Sequence, residues 1–207
     1  MGNRLNYWVV ALCFIVLQYA AIVDDGFVEF EFIGEKQYLK ERGFIRGANC
    51  TSVDAVMIGK LKNGEKRIYF IEWKYTENYS SHNMYIPECA SVYDGLIVAD
   101  DSPFMDSIDV QAFYFEPFYQ LMRQTLLAEE CVKHKDHGVT SYRHIHVVPE
   151  ENYNLRNKVT SRTLCGNDIH EAWERVLKNK EYFISITPEK FLYPVLLCYS
   201  CLLKVLE

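Results

Sequence analysis

The sequence of 207 residues lacks an excess of positive charge, because its 22 lysines and arginines are outnumbered by 28 aspartates and glutamates, for a net charge of -6. This balance excludes a protein whose whole surface attracts nucleic acid through a basic field. A nucleic-acid partner would need a local basic groove, or a metal ion that screens its phosphates.

The sequence also lacks a cysteine framework, internal repeats and low-complexity segments. Its seven cysteines are odd in number and spread along the chain, which favours reduced thiols in a cytoplasmic protein over a disulfide scaffold. The hydrophobic and charged fractions, 49% and 24%, are those of a folded chain with a real core. The length predicts a single domain over residues 1–207.

A hydrophobic run of comfortable membrane-spanning length is missing as well. Residues 7–23 are mostly apolar, but they only reach the lower limit of about seventeen residues for a span, and Gln18 interrupts them. Two interpretations stay open. One is a signal or membrane anchor; the other, which we carry forward, is an apolar helix within residues 1–26 that packs on the domain, with no membrane contact.

Alternation of apolar and polar residues dominates the next part of the chain. Residues 27–32, "FVEFEF", predict a strand, and residues 35–42 predict a short helix that ends at Gly43. Residues 51–61 and 65–75 predict the two strands of a hairpin around Lys62-Asn63-Gly64.

Both faces of this hairpin carry apolar side chains. Val53, Ala55 and Met57 are expected on one face, and Val56 and Ile58 on the other. A sheet that is apolar on both faces is covered on both sides, which indicates an α/β fold with helices flanking a sheet.

Beyond the hairpin, the pattern predicts an insertion, then helices and one more strand. The predicted elements are an insertion at 76–115, a helix at 116–133, a strand at 142–148, and helices at 167–180 and 188–206.

The length of the hairpin loop decides where its polar residues lie. Side chains alternate along a strand, so Glu72 and Lys74 share a face and Trp73 points the other way. A two-residue loop would place Asp54 opposite Trp73. A three-residue loop ending in a left-handed glycine pairs Leu61 with Glu65 and brings Asp54 opposite Glu72.

Two carboxylates in such positions are about 5 Å apart and repel unless positive charge lies between them. Lys74 is one candidate for that charge and a divalent cation is the other. Asp54, Glu72, the backbone carbonyl of Trp73 and waters suit Mg²⁺, a hard cation that keeps much of its hydration. A bound Mg²⁺ can polarise a phosphoryl oxygen and lower the pKa of a water. Lys74 can orient that water or stabilise the negative charge that develops when it reacts. An acid and a lysine two apart on a strand also form ordinary surface ion pairs, and that interpretation stays open.

An aspartate, then a hairpin, then Glu72-x-Lys74 on its second strand resembles the PD-(D/E)xK nuclease superfamily, with its restriction-endonuclease-like fold. Ser52-Val53-Asp54 stands where that family has its "PD". "TSVDAV" followed by "IEWKYTE" looks like a bacterial branch with an EWKYTE signature. "FYQLMRQ" and "YRHIHVV" fit the helix and strand that follow.

The resemblance implies an αβββαβ core over residues 27–148, a mixed sheet flanked by helices. It also implies an insertion after the (D/E)xK strand and a C-terminal helical extension over 149–207. Carried over residue by residue, it makes Asp54, Glu72 and Lys74 catalytic, with metal held by Asp54, Glu72 and Trp73. The implied activity is Mg²⁺-dependent hydrolysis of phosphodiester bonds in DNA, with Mn²⁺ as a substitute. RNA is not excluded as a substrate, and homodimers are common among such nucleases.

Several points stay open within this resemblance. Many members have an upstream acid, for which Glu31 and Glu41 are equal choices. Gln120 and Gln124 on the predicted helix, with Arg123 near them, either touch the phosphate backbone or are exposed polar residues. His144 and His146 share a strand face and are expected to be half-exposed. The rival reading of the whole chain is a catalytically inactive nuclease fold that binds nucleic acid or protein.

Overall fold

A mixed six-stranded sheet forms the centre of the computed structural model, which describes residues 20–22, 28–45 and 50–193. Its strands are β1 (Ala20–Ile22), β2 (Val28–Phe32), β3 (Val53–Leu61), β4 (Lys66–Trp73), β5 (Val139–Val147) and β6 (Phe183–Ile186). Strands β1 and β2 both pair antiparallel with β3, at opposite ends of the same edge. The remaining order across the sheet is β3-β4-β5-β6.

One half of the sheet is antiparallel and the other half is parallel. Strands β3 and β4 form the hairpin, whereas β4 with β5 and β5 with β6 run parallel. Parallel neighbours need long crossover connections, and these connections carry the helices. The helices are α1 (Pro87–Ile97), α2 (Phe118–His134), α3 (Tyr153–Arg156) and α4 (Ile169–Glu174).

Helix α2 confirms the prediction for 116–133 within two residues. It buries Phe118, Leu121, Met122 and Leu126 against the sheet, the spacing of one helical face. It ends at Lys135, whose backbone is left-handed and whose N–H caps the last carbonyls. The strand predicted at 142–148 is confirmed as β5.

Apolar side chains cover both faces of the sheet, as predicted. The larger cluster includes Val56 and Ile58 and packs under α2, and the smaller one includes Ala55 and Met57. Val53 is an exception to the predicted alternation, because its side chain belongs to the larger cluster. It lies beyond the last β3–β4 pair and pairs only with Phe32 of β2.

The expected core order is recognisable in the described part of the chain. Strand β2, the β3–β4 hairpin, α2 and β5 correspond to the βββαβ part of the core expected over residues 27–148, and β1 is an additional strand. In the described part of the chain, residues 20–22 and 28–32 are strands, so the leading helix of that core is not seen there. The insertion at 76–115 has structure of its own, namely α1 and a 3₁₀ turn at Val110–Phe113.

Three expectations need correction. Residues Ala20–Ile22, expected in an apolar helix within residues 1–26, form strand β1 because they pair with β3; residues 1–19 and 23–26 lie outside the described residues. Residues 35–42 form turns, since Lys40 has a positive φ of 54° that a helix does not accommodate. The extension at 149–207 is not purely helical, because Phe183–Ile186 joins the sheet as β6.

The C-terminal helices are only partly comparable with the prediction. The helix expected at 167–180 is shorter, Ile169–Glu174, and begins where the Asp168 side chain accepts from the N–H of Glu171. Residues 188–193 are helical, and the remainder of the expected helix at 188–206 lies outside the described residues. In the part of the chain that the structure describes, no helix is both long enough and apolar enough to span a membrane.

Candidate active site

The hairpin loop has the three-residue form on which the prediction depended. The Leu61 N–H donates to the Glu65 carbonyl at 2.7 Å, and Gly64 has a φ of +90°. The pairs run from Lys60 with Lys66 to Ala55 with Ile71. Continuing this register places Asp54 across from Glu72, on the face covered by α2.

The β3–β4 ladder opens immediately beyond that point. Its last pair is Ala55 with Ile71. The next N–H that β4 directs towards β3 belongs to Trp73, and it donates to the Asp54 carboxylate at 2.7 Å. A side-chain oxygen thus satisfies a backbone donor that the ladder would otherwise pair, and this contact holds Asp54 beside Glu72 and Lys74.

Glu72 is almost fully buried, with 2% of its surface exposed. Its Oε1 accepts from the ammonium of Lys74, which is 7% exposed, and from the amide of Gln120 at 2.8 Å. Its Oε2 accepts from the amide of Gln124 at 2.6 Å. A buried carboxylate is tolerated where donors surround it in this way.

Burial and charge oppose each other at this pair. Burial raises the pKa of Glu72, and the nearby Asp54 raises it further, against the lowering by Lys74. Burial lowers the pKa of Lys74, but its attraction to Glu72 and their hydrogen bond outweigh that, so the pKa of Lys74 is raised. The lysine therefore stays protonated.

A second layer of buried polar groups lies behind Gln124. The Gln124 side chain is 0% exposed, and its amide also donates to the Ser52 carbonyl at 3.0 Å. Its Oε1 is 3.1 Å from His144 Nε2, and His144 Nδ1 is 3.1 Å from the Thr125 hydroxyl. Burial lowers the pKa of His144 to about 3, so this ring is a neutral structural support for Gln124.

The model of the family described as restriction endonuclease associating with ARP matches residues 9–204. The chain belongs to this family. No curated protein and no solved structure gives a match.

The expectations for the histidines and glutamines of this restriction-endonuclease-like chain need correction. His144 and His146 were expected to be half-exposed, but both are buried, because α2 and α4 cover this part of the sheet. Gln124 is neither exposed nor free to touch a phosphate backbone, and Gln120 is half-buried. Both amides instead point at Glu72.

The two candidates for the upstream acid differ in environment. Glu41 accepts from the N–H of Thr51 at 2.8 Å and from the hydroxyl of Tyr93 at 2.6 Å. Glu31 is exposed and has a left-handed backbone. Within the described ranges, neither joins Asp54 and Glu72, since no three acidic, histidine or cysteine side chains converge there in a metal-binding group.

The sequence pattern did not indicate that Glu116 and Arg123 lie near the candidate site. Glu116 lies just before α2. Burial raises the pKa of its carboxyl group, while Arg123 and Lys74 lower it. Tyr79, from the insertion, lies close enough for the charges of Lys74 and Glu116 to act on its hydroxyl. No local pattern reveals these neighbours, because they come from separate segments that meet only in the folded chain.

The donor set fits a hard divalent cation. Asp54 and Glu72 supply carboxylate oxygens from adjacent strands. In an extended residue the N–H and C=O point to the same side of the strand, so the Trp73 carbonyl lies on the side where its N–H meets Asp54. Two carboxylates, one carbonyl and waters make an arrangement that Mg²⁺ accepts.

Proposed function

We propose that this chain is a Mg²⁺-dependent nuclease of the PD-(D/E)xK type that hydrolyses phosphodiester bonds in DNA. The observation that carries the proposal is the meeting of Asp54, Glu72 and Lys74 at the open end of the β3–β4 hairpin. Membership of a restriction-endonuclease family supports it.

In this proposal each side chain has a defined task. Asp54, Glu72 and the Trp73 carbonyl would hold Mg²⁺, or Mn²⁺ in its place, and that cation would polarise a phosphoryl oxygen and lower the pKa of a water. Lys74 orients that water and stabilises negative charge on the phosphate. Gln120 and Gln124 keep the Glu72 carboxylate in position. A P–O bond to the water oxygen forms as the P–O bond to the leaving oxygen breaks. The attacking water gives up a proton to solvent, and the leaving oxygen takes a proton from solvent.

The remaining expectations are proposals of the same kind. We propose a cytoplasmic location, to which the free thiols of Cys89, Cys131 and Cys165 are suited. The family description names association with ARP, and we propose the same association for this chain.

Cleavage assays test the activity directly. The purified chain is incubated with plasmid DNA, linear single-stranded DNA and RNA, with Mg²⁺, with Mn²⁺ and with chelator. We expect metal-dependent cleavage of DNA that Asp54→Ala abolishes while circular dichroism stays unchanged. Asp106→Ala is the matched control, since that side chain is 87% exposed and pairs with Lys178 at the surface. Full activity of Asp54→Ala would refute the proposal.

An inactive nuclease fold is the second candidate, because the Glu72 oxygens and one Asp54 oxygen already accept hydrogen bonds. Mn²⁺ titration calorimetry separates the two. A nuclease takes up the cation at Asp54 and Glu72, whereas an inactive module binds nucleic acid with no cation uptake that depends on Asp54.

A further inference from the structure

Arg123, on helix α2, has a guanidinium group that makes no hydrogen bond or ion pair in the described part of the chain. Its Nε is buried and has no hydrogen-bond acceptor. None of the ion pairs between described residues includes it. A buried cation is costly unless an anion pairs with it, so this group is prepared for an anion.

The surroundings keep Arg123 charged and orient it. Burial lowers its pKa, but Tyr93, Tyr119, Glu116 and Glu41 together outweigh burial and raise it. The guanidinium carbon lies 4.6 Å from the centre of the Tyr119 ring, which fixes its plane.

The nearby carboxylates are occupied elsewhere. Glu41 accepts from Thr51 and Tyr93, and Glu116 accepts from the backbone N–H of Gln120 at 3.3 Å. They bias Arg123 from a distance and leave its hydrogen-bond donors unused. The side chain is partly open to solvent, so a ligand can reach it.

Helix geometry places Arg123 beside the candidate active site. At 100° per residue, Gln120, Arg123 and Gln124 fall on one face of α2, and Glu116 lies just before the helix begins. Gln120 and Gln124 reach Glu72 from this face. The pKa of Glu116 is lowered by both Arg123 and Lys74, so the charges of both residues act on this carboxyl group.

We propose that Arg123 is a phosphate-binding residue that holds the phosphate group next to the scissile one in a nucleic-acid strand. A guanidinium fork matches two oxygens of one phosphate. A cation at this position gives an acidic chain a point of attraction for a polyanion. The inference rests on the proposed function, because it assumes a nucleic-acid substrate.

Salt dependence of binding tests the contact. Asp54→Asn blocks cleavage, and Arg123→Gln, Arg123→Lys and Arg175→Gln are each added to it. Binding of a short DNA duplex is measured at several salt concentrations. One lost phosphate contact lowers the slope of log affinity against log salt by about 0.9. We expect that loss for Arg123→Gln, a retained slope with weaker binding for Arg123→Lys, and no change for Arg175→Gln, whose side chain pairs with Glu171 at the surface.

A spectroscopic signal separates binding from a structural role. The ¹⁵N–¹H resonance of the Arg123 Nε–H is assigned by its absence from Arg123→Lys and followed while a dinucleotide is added to Asp54→Asn. We expect this resonance to shift as the guanidinium group gains a phosphate acceptor. This measurement needs no Arg123→Gln protein, so it stands even if that variant fails to fold.

The outcomes are distinct. If the Asp54→Asn chain binds DNA but the Nε–H resonance stays still and the slope is unchanged in Arg123→Gln, the inference about Arg123 is wrong and the proposed function survives. If the Asp54→Asn chain and the unsubstituted chain bind no nucleic acid at all, both are wrong.

Discussion

Burial and the Lys74 ammonium act on the Glu72 carboxyl group in opposite directions, and the balance depends on pH. The folded pKa of Glu72 is raised above its ordinary value of 4.5. A carboxyl with a raised folded pKa favours folding below its unfolded pKa, and this advantage is lost as pH rises through the folded pKa. Lys74 limits that loss by compensating the buried negative charge.

Replacing Lys74 with methionine removes the compensating charge. We expect Lys74→Met to lower the free energy of unfolding by about 3 kcal/mol at pH 8, where Glu72 must be buried as an unpaired anion. The loss should be smaller at pH 5, where a larger fraction of this carboxyl group is protonated. Urea denaturation at both pH values measures it. Lys133→Met, which breaks surface pairs with Asp101 and Glu130, should cost about 1 kcal/mol or less at either pH. Equal losses for Lys74→Met at both pH values would contradict this account.

Cation binding should release protons because it requires the ionised form of Glu72. Since the pKa of Glu72 is raised from 4.5, Mn²⁺ affinity should increase with pH above that value until the carboxyl is fully ionised. Calorimetry in buffers with different ionisation enthalpies counts the protons released. An affinity that is constant from pH 5 to pH 7 would show that Glu72 does not contribute a titrating ligand.

At the scale of elements, the hairpin depends on one left-handed residue. Gly64 has a φ of +90°, and a side chain there is strained by about 1 kcal/mol. Gly95, inside helix α1, has open space around it, and alanine there should stabilise the helix by up to about 1 kcal/mol. Gly64→Ala and Gly95→Ala should therefore shift the urea midpoint in opposite directions. A Gly64→Ala chain whose urea midpoint is not lowered would contradict the loop conformation.

Helix α2 supports the site through two amides whose contributions differ. Gln124 is the donor to Glu72 Oε2 and also contacts Ser52 and His144, whereas Gln120 shares Glu72 Oε1 with Lys74. Gln124→Leu should weaken Mn²⁺ binding by about 10- to 100-fold and destabilise the fold by about 2 kcal/mol. Gln120→Leu should have a smaller effect on both, since Lys74 remains. Calorimetry and urea denaturation of the two variants provide the comparison.

The sequence predicted the part of the site that lies on the hairpin, but not the part that lies on helix α2. Alternation and turn chemistry within about twenty residues brought Asp54, Glu72 and Lys74 together. The amides of Gln120 and Gln124 were missed, because a glutamine on a helix has no pattern that separates an exposed position from one aimed at a buried acid. The buried histidines were missed for the same reason: whether a strand face is covered depends on helices from distant segments.

At the scale of the whole molecule, Trp73 connects the candidate site with the opposite face of the sheet. Its backbone N–H holds Asp54, while its side chain contacts Phe191 on the opposite face, with ring centres 5.6 Å apart. Phe191 is 2% exposed, so Phe191→Ala should destabilise the fold by about 3–5 kcal/mol and change tryptophan fluorescence. Tyr193→Ala, at an exposed position of the same helical segment, is the control and should change neither. A Phe191→Ala chain with unchanged stability would show that this face is not covered as described.

The open end of the hairpin has a consequence for the order of folding. Asp54 reaches Trp73 across 19 positions, whereas Gln120 and Gln124 reach Glu72 across 48 and 52. Short loops close at lower entropic cost than long ones. The hairpin therefore brings the carboxylates of Asp54 and Glu72 together before α2 has docked and its glutamines have bound Glu72. The proposed ligands of the cation are then adjacent while the rest of the chain is still folding.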